Sequence, residues 1–262
     1  MMFPALLKYW RKSRGLSQLD LALAANVSAR HISFLETGRA KPSREMVLSL
    51  AATLDVPLRE QNTLLTASGF HASFEEAPIG MGRAGPVEQV INRMLKKHEP
   101  YPMVVMDAGY HLIKSNGPAQ HLIRLFVKNA AALKPPLNLY EMLFDPELTR
   151  PFIQNWELLA RQLLSRIHRE SILRPYNERH AALLDRLLSY PDIPESWRVP
   201  DFTTTSEPSL TLQLKKDQWA FSFLSIITTF SAPQNITAQE VLIETLFPAD
   251  EETEQLCSKL VG

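Results

Sequence analysis

Thiol chemistry is nearly missing from this chain: one cysteine, Cys257, stands among 262 residues. It can form no intramolecular disulfide and no multi-cysteine zinc cluster, and such a count fits a reducing compartment. Long apolar runs are missing too, because charges interrupt each one after a few residues, so no membrane span is expected. The opening MMFPALLKYWRKSRG has neither a secretory hydrophobic region of proper length nor a small-residue cleavage site. A soluble cytoplasmic protein is the expectation. G-x-S-x-G, G-x-x-x-x-G-K and H-E-x-x-H do not occur, nor does a Gly-rich strand-to-helix turn, so an enzyme is not expected. His98, His111, His121, His168 and His180 are scattered, which offers no haem, flavin or metal anchor; no cofactor is expected.

What is there is a globular mixture, 45% hydrophobic and 21% charged, long enough for one large domain or two ordinary ones. The net charge of zero conceals an asymmetry. Residues 1–44 carry eight basic side chains (Lys8, Arg11, Lys12, Arg14, Arg30, Arg39, Lys41, Arg44) against Asp20 and Glu36, so the remainder is acidic by the same margin. A basic N-terminal segment on an acidic body suggests a local polyanion-binding module.

Five short helical patterns fill residues 3–69. The first runs from Pro4 to Arg14 and stops at Gly15. Ser17 can cap a second, with Asp20 as capping-box partner, ending near Asn26, a residue that tolerates left-handed backbone. Ser28 can cap a third, with Ile32 and Leu35 inward and Gly38 closing it; Pro42-Ser43 and Pro57 open the last two. The expectation is an all-α five-helix domain over 1–69.

The stretch from Gln18 to Ser43 resembles the helix-turn-helix of Xre/Cro-like regulators. Gln18, Leu21, Ala22, Val27, Ser28, Ile32, Ser33, Glu36, Gly38, Pro42 and Ser43 match that pattern in register, with Asn26 in place of the turn glycine. The resemblance implies double-stranded DNA as partner, the third helix entering the major groove. Ala29, Arg30, His31, Ser33 and Phe34 are then the candidate base contacts, and Ser17, Gln18, Ser28, Arg11, Arg14, Arg39, Lys41 and Arg44 the candidate phosphate contacts.

Residues 70–85 have no apolar periodicity and read as a linker; Pro86 then opens a helix striped by Val87, Val90, Ile91, Met94 and Leu95. Beyond it, two β-rich runs (101–106 and 110–115) flank a hairpin signature, Asp107-Ala108-Gly109. Helical patterns follow at 117–127, 137–145, 151–169 and 176–189, an irregular crossing at 191–208, and three strands near 210–215, 219–230 and 241–247. The order β-β-α-α-α-α-β-β-β predicts an α+β domain over 86–262, an antiparallel sheet with a helical layer.

His98-Glu99-Pro100, Asp107, Asn116, Asn138-Leu139, Phe144-Asp145-Pro146 and Trp156 give this region a resemblance to the ligand-binding domain of MmyB-like regulators, which is PAS-like; Ile193–Thr205 departs from the family's usual lead into its last strands. The resemblance implies an internal apolar pocket holding a fatty-acid-like ligand. Val105, Leu112, Trp156, Leu159, Phe221 and Phe223 are candidate lining, and Arg161, Arg166 or Arg169 can meet a carboxylate head. The whole then reads as a sequence-specific transcriptional regulator acting as a homodimer, one helix-turn-helix per half-site. The alternative is an antitoxin-like or protein-interaction module with no small-molecule ligand.

Overall fold

The computed structural model describes residues 2–77, 79, 85–173, 178–199, 210–231, 233 and 235–260. Expectations falling on parts of the linker (78, 80–84), on the start of the 176–189 helix and on the 200–208 half of the irregular crossing lie outside those residues. The chain forms two compact units: Met1–Pro78 with Phe230–Gln239, and Ile79–Thr229 with Glu240–Gly262.

The first unit is helical: α1 (Phe3–Ser13), α2 (Gln18–Ala24), α3 (Ala29–Glu36), α4 (Arg44–Thr53) and α5 (Leu58–Ala67). The serines before α2 and α3 act as the expected caps, and the serine before α4 does the same. Ser17 accepts from the Asp20 N–H while Asp20 reaches back to complete the capping box; Ser28 and Ser43 accept from the His31 and Met46 N–H groups. Each cap satisfies a donor that the helix start leaves without a partner. Between α2 and α3 the chain turns at Asn26 with φ 54°, the left-handed geometry that the residue accepts at little cost. Leu7, Trp10, Leu21, Ile32, Leu35, Leu50 and Leu65 close the core.

A charged cluster binds three of these helices. Arg11 on α1 makes a two-pronged contact with Glu36 at the end of α3, Nε to Oε1 at 2.6 Å and Nη2 to Oε2 at 3.0 Å. The Gln18 side-chain amide, at the start of α2, donates to the same carboxylate at 2.8 Å. Burial works to raise the Glu36 pKa, but hydrogen bonds from Arg11 and Gln18 and the Arg11 charge outweigh it and hold the carboxyl below its ordinary value.

The first unit continues past the boundary expected at residue 69. Asn62 on α5 accepts from the Ser73 and Phe74 N–H groups and donates to the Phe74 carbonyl, and Arg59 pairs with Glu76. The segment 230–239, distant in sequence, completes it. Helix α5 begins after Pro57 with no side-chain cap of its own, and the Leu58 N–H donates instead to Gln239 Oε1 at 2.7 Å.

The second unit opens with α6 (Pro86–His98) and the hairpin β1 (Met103–Met106) and β2 (Leu112–Ser115). Then come α7 (Gly117–Leu125), α8 (Leu139–Phe144), α9 (Trp156–Leu173) and α10 (Glu178–Leu188), followed by β3 (Leu210–Lys216) and β4 (Trp219–Thr228). The chain next passes through α11 (Ile236–Glu240), nearly all of it in the first unit, and returns as β5 (Leu242–Pro248) and α12 (Glu251–Cys257). The sheet is antiparallel in the order β2-β1-β5-β4-β3, so the last strand in sequence lies at its centre. The longest helix starts later than expected from Pro151. Residues Arg150–Phe152 form a 3-10 turn, Ile153 bridges Leu214, and only at Trp156 does α-helix begin. Helix α12, capped by Asp250 onto the Thr253 N–H, has no counterpart in the sequence expectation. It buries Cys257, whose thiol is pushed up to about 12 by burial and by Glu254.

Glu36→Ala leaves the Arg11 guanidinium buried without its anion and should lower the stability of the first unit by about 3–5 kcal/mol. The unfolding midpoint in urea, followed by helical ellipticity, checks this; the double variant R11M/E36L should recover most of the loss. Because the folded Glu36 pKa is depressed, its stabilisation is present above the unfolded value of ~4.3 and lost as pH falls through the folded one. Glu36→Gln should remove that part of the acid sensitivity.

Candidate nucleic-acid interface and ligand cavity

Helix α3 buries Ile32 and Leu35 completely. Arg30 is exposed, and Ala29, His31, Ser33 and Phe34 are partly exposed. The Arg30 guanidinium lies 5.1 Å from the Phe34 ring centroid, a cation–π contact that orders a long side chain while leaving its donors outward. All five residues expected to touch bases therefore lie on one accessible helix.

The expected phosphate contacts divide. Arg39 and Lys41 are exposed and have no partner among the described residues, and the Ser17 and Ser28 hydroxyls accept cap hydrogen bonds while keeping a proton to donate. Arg44 donates to the Ser73 hydroxyl at 2.6 Å. Arg11, Arg14 and Gln18 are corrections to the expectation. Arg11 is 8% exposed and taken up by Glu36 and the Leu16 carbonyl, and the Gln18 amide is taken up by Glu36. Arg14 donates to the Leu54 and Asp55 carbonyls at 2.7 and 2.6 Å, satisfying the C-terminal end of α4. A basic residue near a DNA-facing helix looks the same in sequence whether it faces solvent or a carboxylate 25 positions away.

In the second unit a cavity of about 80 Å³ lies against the sheet, lined by Met103, Val104, Leu122, Ile123, Phe126, Leu139, Met142, Leu143, Leu212, Leu214 and Leu246. Two polar residues share that lining, Thr149 and Glu244. Thr149 is 4% exposed and its hydroxyl has no hydrogen-bond partner among the described residues. Glu244 stands in the middle of the central strand and accepts from the Ser225 hydroxyl. Burial raises its pKa above the ordinary carboxylate value, against the Ser225 hydrogen bond and the attraction of Arg166.

None of the six residues expected to line a pocket, and none of the three candidate arginines, lies in this lining. Val105 misses by one position. Val104 and Met106 belong to the core that β1 shares with the helices, whereas Val105 pairs with Ile243 and takes the opposite face. Phe221 and Phe223 stack 5.5 Å apart in packed core, Phe221 also against Phe126, and Leu159 is fully packed. Leu112 packs partly against the same core. Trp156 meets Phe144 edge-on at 4.9 Å, with Arg150 over its ring. Arg161 is exposed, pairs with Glu157 and lies over Trp197. Of the other arginines considered, Arg169 bonds to Ser165, and Arg166 donates to the Tyr140 hydroxyl at 3.2 Å and acts electrostatically on Glu244.

Several residues behind the second resemblance prove to be structural. Asn116 accepts from the Met103 and Ala119 N–H groups, tying β1 to the start of α7. Asn138 caps α8 through the Tyr140 and Glu141 N–H groups and donates to the Gly109 carbonyl. Asp107 accepts from Gly109 and His111 in the β1–β2 turn. Glu244 was missed because an acid between Leu242 and Leu246 reads as a strand's solvent face; the signal was its place on the leucine side of the alternation. Among the described residues no helix is long and apolar enough to cross a membrane, and no cluster of side chains could hold a metal ion.

Comparison with known families gives two matches. Residues 87–260 match the MmyB-like transcription regulator ligand binding domain, and residues 7–61 match a helix-turn-helix family. An HTH-type transcriptional regulator, DdrOP3 of Deinococcus deserti, is 41% identical over 54 residues, which are 21% of this chain and 42% of that protein. The chain thus spans less than half the length of that relative. A solved RNA-binding Light-Oxygen-Voltage receptor aligns over 98% of this chain and 56% of its own at 14% identity and a TM-score of 0.29, too weak a superposition to bear on fold or function.

Arg14→Ala should lower the stability of the first unit by about 1–3 kcal/mol, because two C-terminal carbonyls lose a charged donor. Lys41→Ala, on an exposed side chain, should stay within ~0.5 kcal/mol of the parent. Urea denaturation of the two variants side by side checks the contrast.

Proposed function

This chain belongs to the MmyB-like ligand-binding-domain family of transcription regulators, and from that premise we propose that it is a sequence-specific DNA-binding regulator whose second unit takes an apolar, fatty-acid-like ligand. The observation that carries the DNA half is α3: its apolar side is fully buried and its opposite side offers Arg30, His31, Ser33 and Phe34 outward. A helix of this length fits the major groove, where a guanidinium reaches guanine O6 and N7. Arg39 and Lys41 supply charge for phosphates, which sets affinity rather than sequence preference.

One helix-turn-helix reads few base pairs, so the protein acts as a homodimer on two half-sites about one helical turn apart. The ligand half rests on the cavity beside β5, small in volume but lined by methionine and leucine side chains that can rearrange. At about 80 Å³ it is roughly half the ~150 Å³ that holds a benzene ring in an engineered core, so an acyl chain must widen it on entry. Strand β5 is also continuous with segment 230–239, whose Gln239 caps α5, so the strand that lines the cavity leads directly into the DNA-binding unit. A ligand shifts the regulator only by its different affinities for the two states.

Electrophoretic retardation of a genomic fragment pool tests the DNA half. Arg30→Ala should lose selectivity, about 1–3 kcal/mol at the base it reads. Lys41→Ala should weaken all fragments alike and flatten the logarithmic salt dependence by about one unit. Equal loss of all fragments in Arg30→Ala, or no retardation by the parent protein, would favour a protein-interaction module.

A further inference from the structure

The cavity is not uniformly apolar, and the exception is informative. Along β5 the residues Leu242, Glu244 and Leu246 share one face, and the leucines pack against the core. Glu244 thus occupies a core-facing position of the central strand, where a leucine would be expected. Its one hydrogen-bond partner among the described residues is the Ser225 hydroxyl, which occupies one carboxyl oxygen, and the residue is part of the cavity lining. Thr149 contributes a second polar group to that lining, a buried hydroxyl with no partner among the described residues. Buried polar atoms usually find partners, so the unpaired Thr149 hydroxyl, in the same apolar lining as the Glu244 carboxyl, marks where a ligand's polar end belongs.

Charge decides what kind of end. The Glu244 carboxyl lines an apolar space, and burial raises its pKa above the ordinary carboxylate value; this favours the protonated form, which can donate as well as accept. A carboxylate placed beside it would be desolvated against an acidic group, and an ammonium would be desolvated within the field of Arg166. An uncharged group meets neither cost.

We propose that the cavity takes a chain molecule with an uncharged hydrogen-bonding head, of the alcohol, amide or protonated-acid class, held by the Glu244 carboxyl and the Thr149 hydroxyl. It rests on the reading of the cavity as the ligand site and specifies the chemistry of that ligand. Glu244 is its specificity-determining residue.

The test uses the full chain and a neutral fluorescent probe, N-phenyl-1-naphthylamine, displaced by decan-1-ol, decanoate and decylammonium at a pH where both of the last two are ionised. The alcohol should displace the probe at a concentration at least about tenfold below either ion. Glu244→Gln should keep that order, because an amide also donates and accepts, while Glu244→Leu should erase the advantage of the alcohol. Thermal unfolding should show both variants folded, with E244L no less stable than the parent. Decanoate or decylammonium binding as tightly as the alcohol would overturn the head-group assignment and leave the cavity as a site. Failure of the probe and all three chains to bind would overturn the cavity and the head-group assignment together.

Discussion

The first unit depends on a single carboxylate. Glu36 receives Arg11 from α1 and Gln18 from α2 while standing at the end of α3, so three short helices are fixed around one buried charge. None of the three is long enough to be stable alone in water. The apolar contacts through Leu7, Leu21 and Ile32 bring them together but have little direction; the planar fork of guanidinium on carboxylate has a great deal. Glu36 joins the end of α3, the helix that carries the exposed Arg30, to α1 and α2. A buried pair of this kind adds less to net stability than to the definition of one arrangement, since desolvation offsets much of the attraction.

The second unit faces a different constraint. Its central strand is paired on both sides, with β1 along Leu242–Thr245 and with β4 along Ile243–Pro248, and its side chains alternate between two faces. An acid on the inward face needs a hydrogen-bond partner, which Ser225 supplies, and burial there raises its pKa above the ordinary carboxylate value. With Thr149, Glu244 is one of the two polar residues in an otherwise apolar lining. Segment 230–239 ties this strand by covalent continuity to the N-terminus of α5, which has no cap of its own.

Much of this was legible in the amino-acid order. Ser17, Ser28 and Ser43 announced their helices, Asn26 its turn, and the alternation of strands and helices after residue 100 the antiparallel sheet, because capping and periodicity are local properties. Candidate DNA-facing residues were legible for the same reason: once Ile32 and Leu35 are inside, helical geometry puts Arg30 and Phe34 elsewhere. The cavity was not. Choosing Val105 over Val104 is a one-residue error, but in a strand that moves a side chain to the other side of the sheet. Phe221, Phe223 and Leu159 were sound choices of core, yet apolarity alone does not distinguish a residue that fills space from one that borders it.

Local sequence therefore determined the two fold classes, the helix starts, the helix-turn-helix and the family, since each depends on groups a few residues apart along the chain. Tertiary structure alone decided which arginines are free. Arg11 and Arg39 carry the same charge, but only Arg11 meets Glu36, and that meeting requires the chain to fold back over 25 positions. The same holds for Glu244 beside Ser225, for Thr149 without a partner among the described residues, and for Gln239 at the start of a helix 181 residues earlier. Such pairings are set by packing in three dimensions, where distance along the chain no longer measures distance in space.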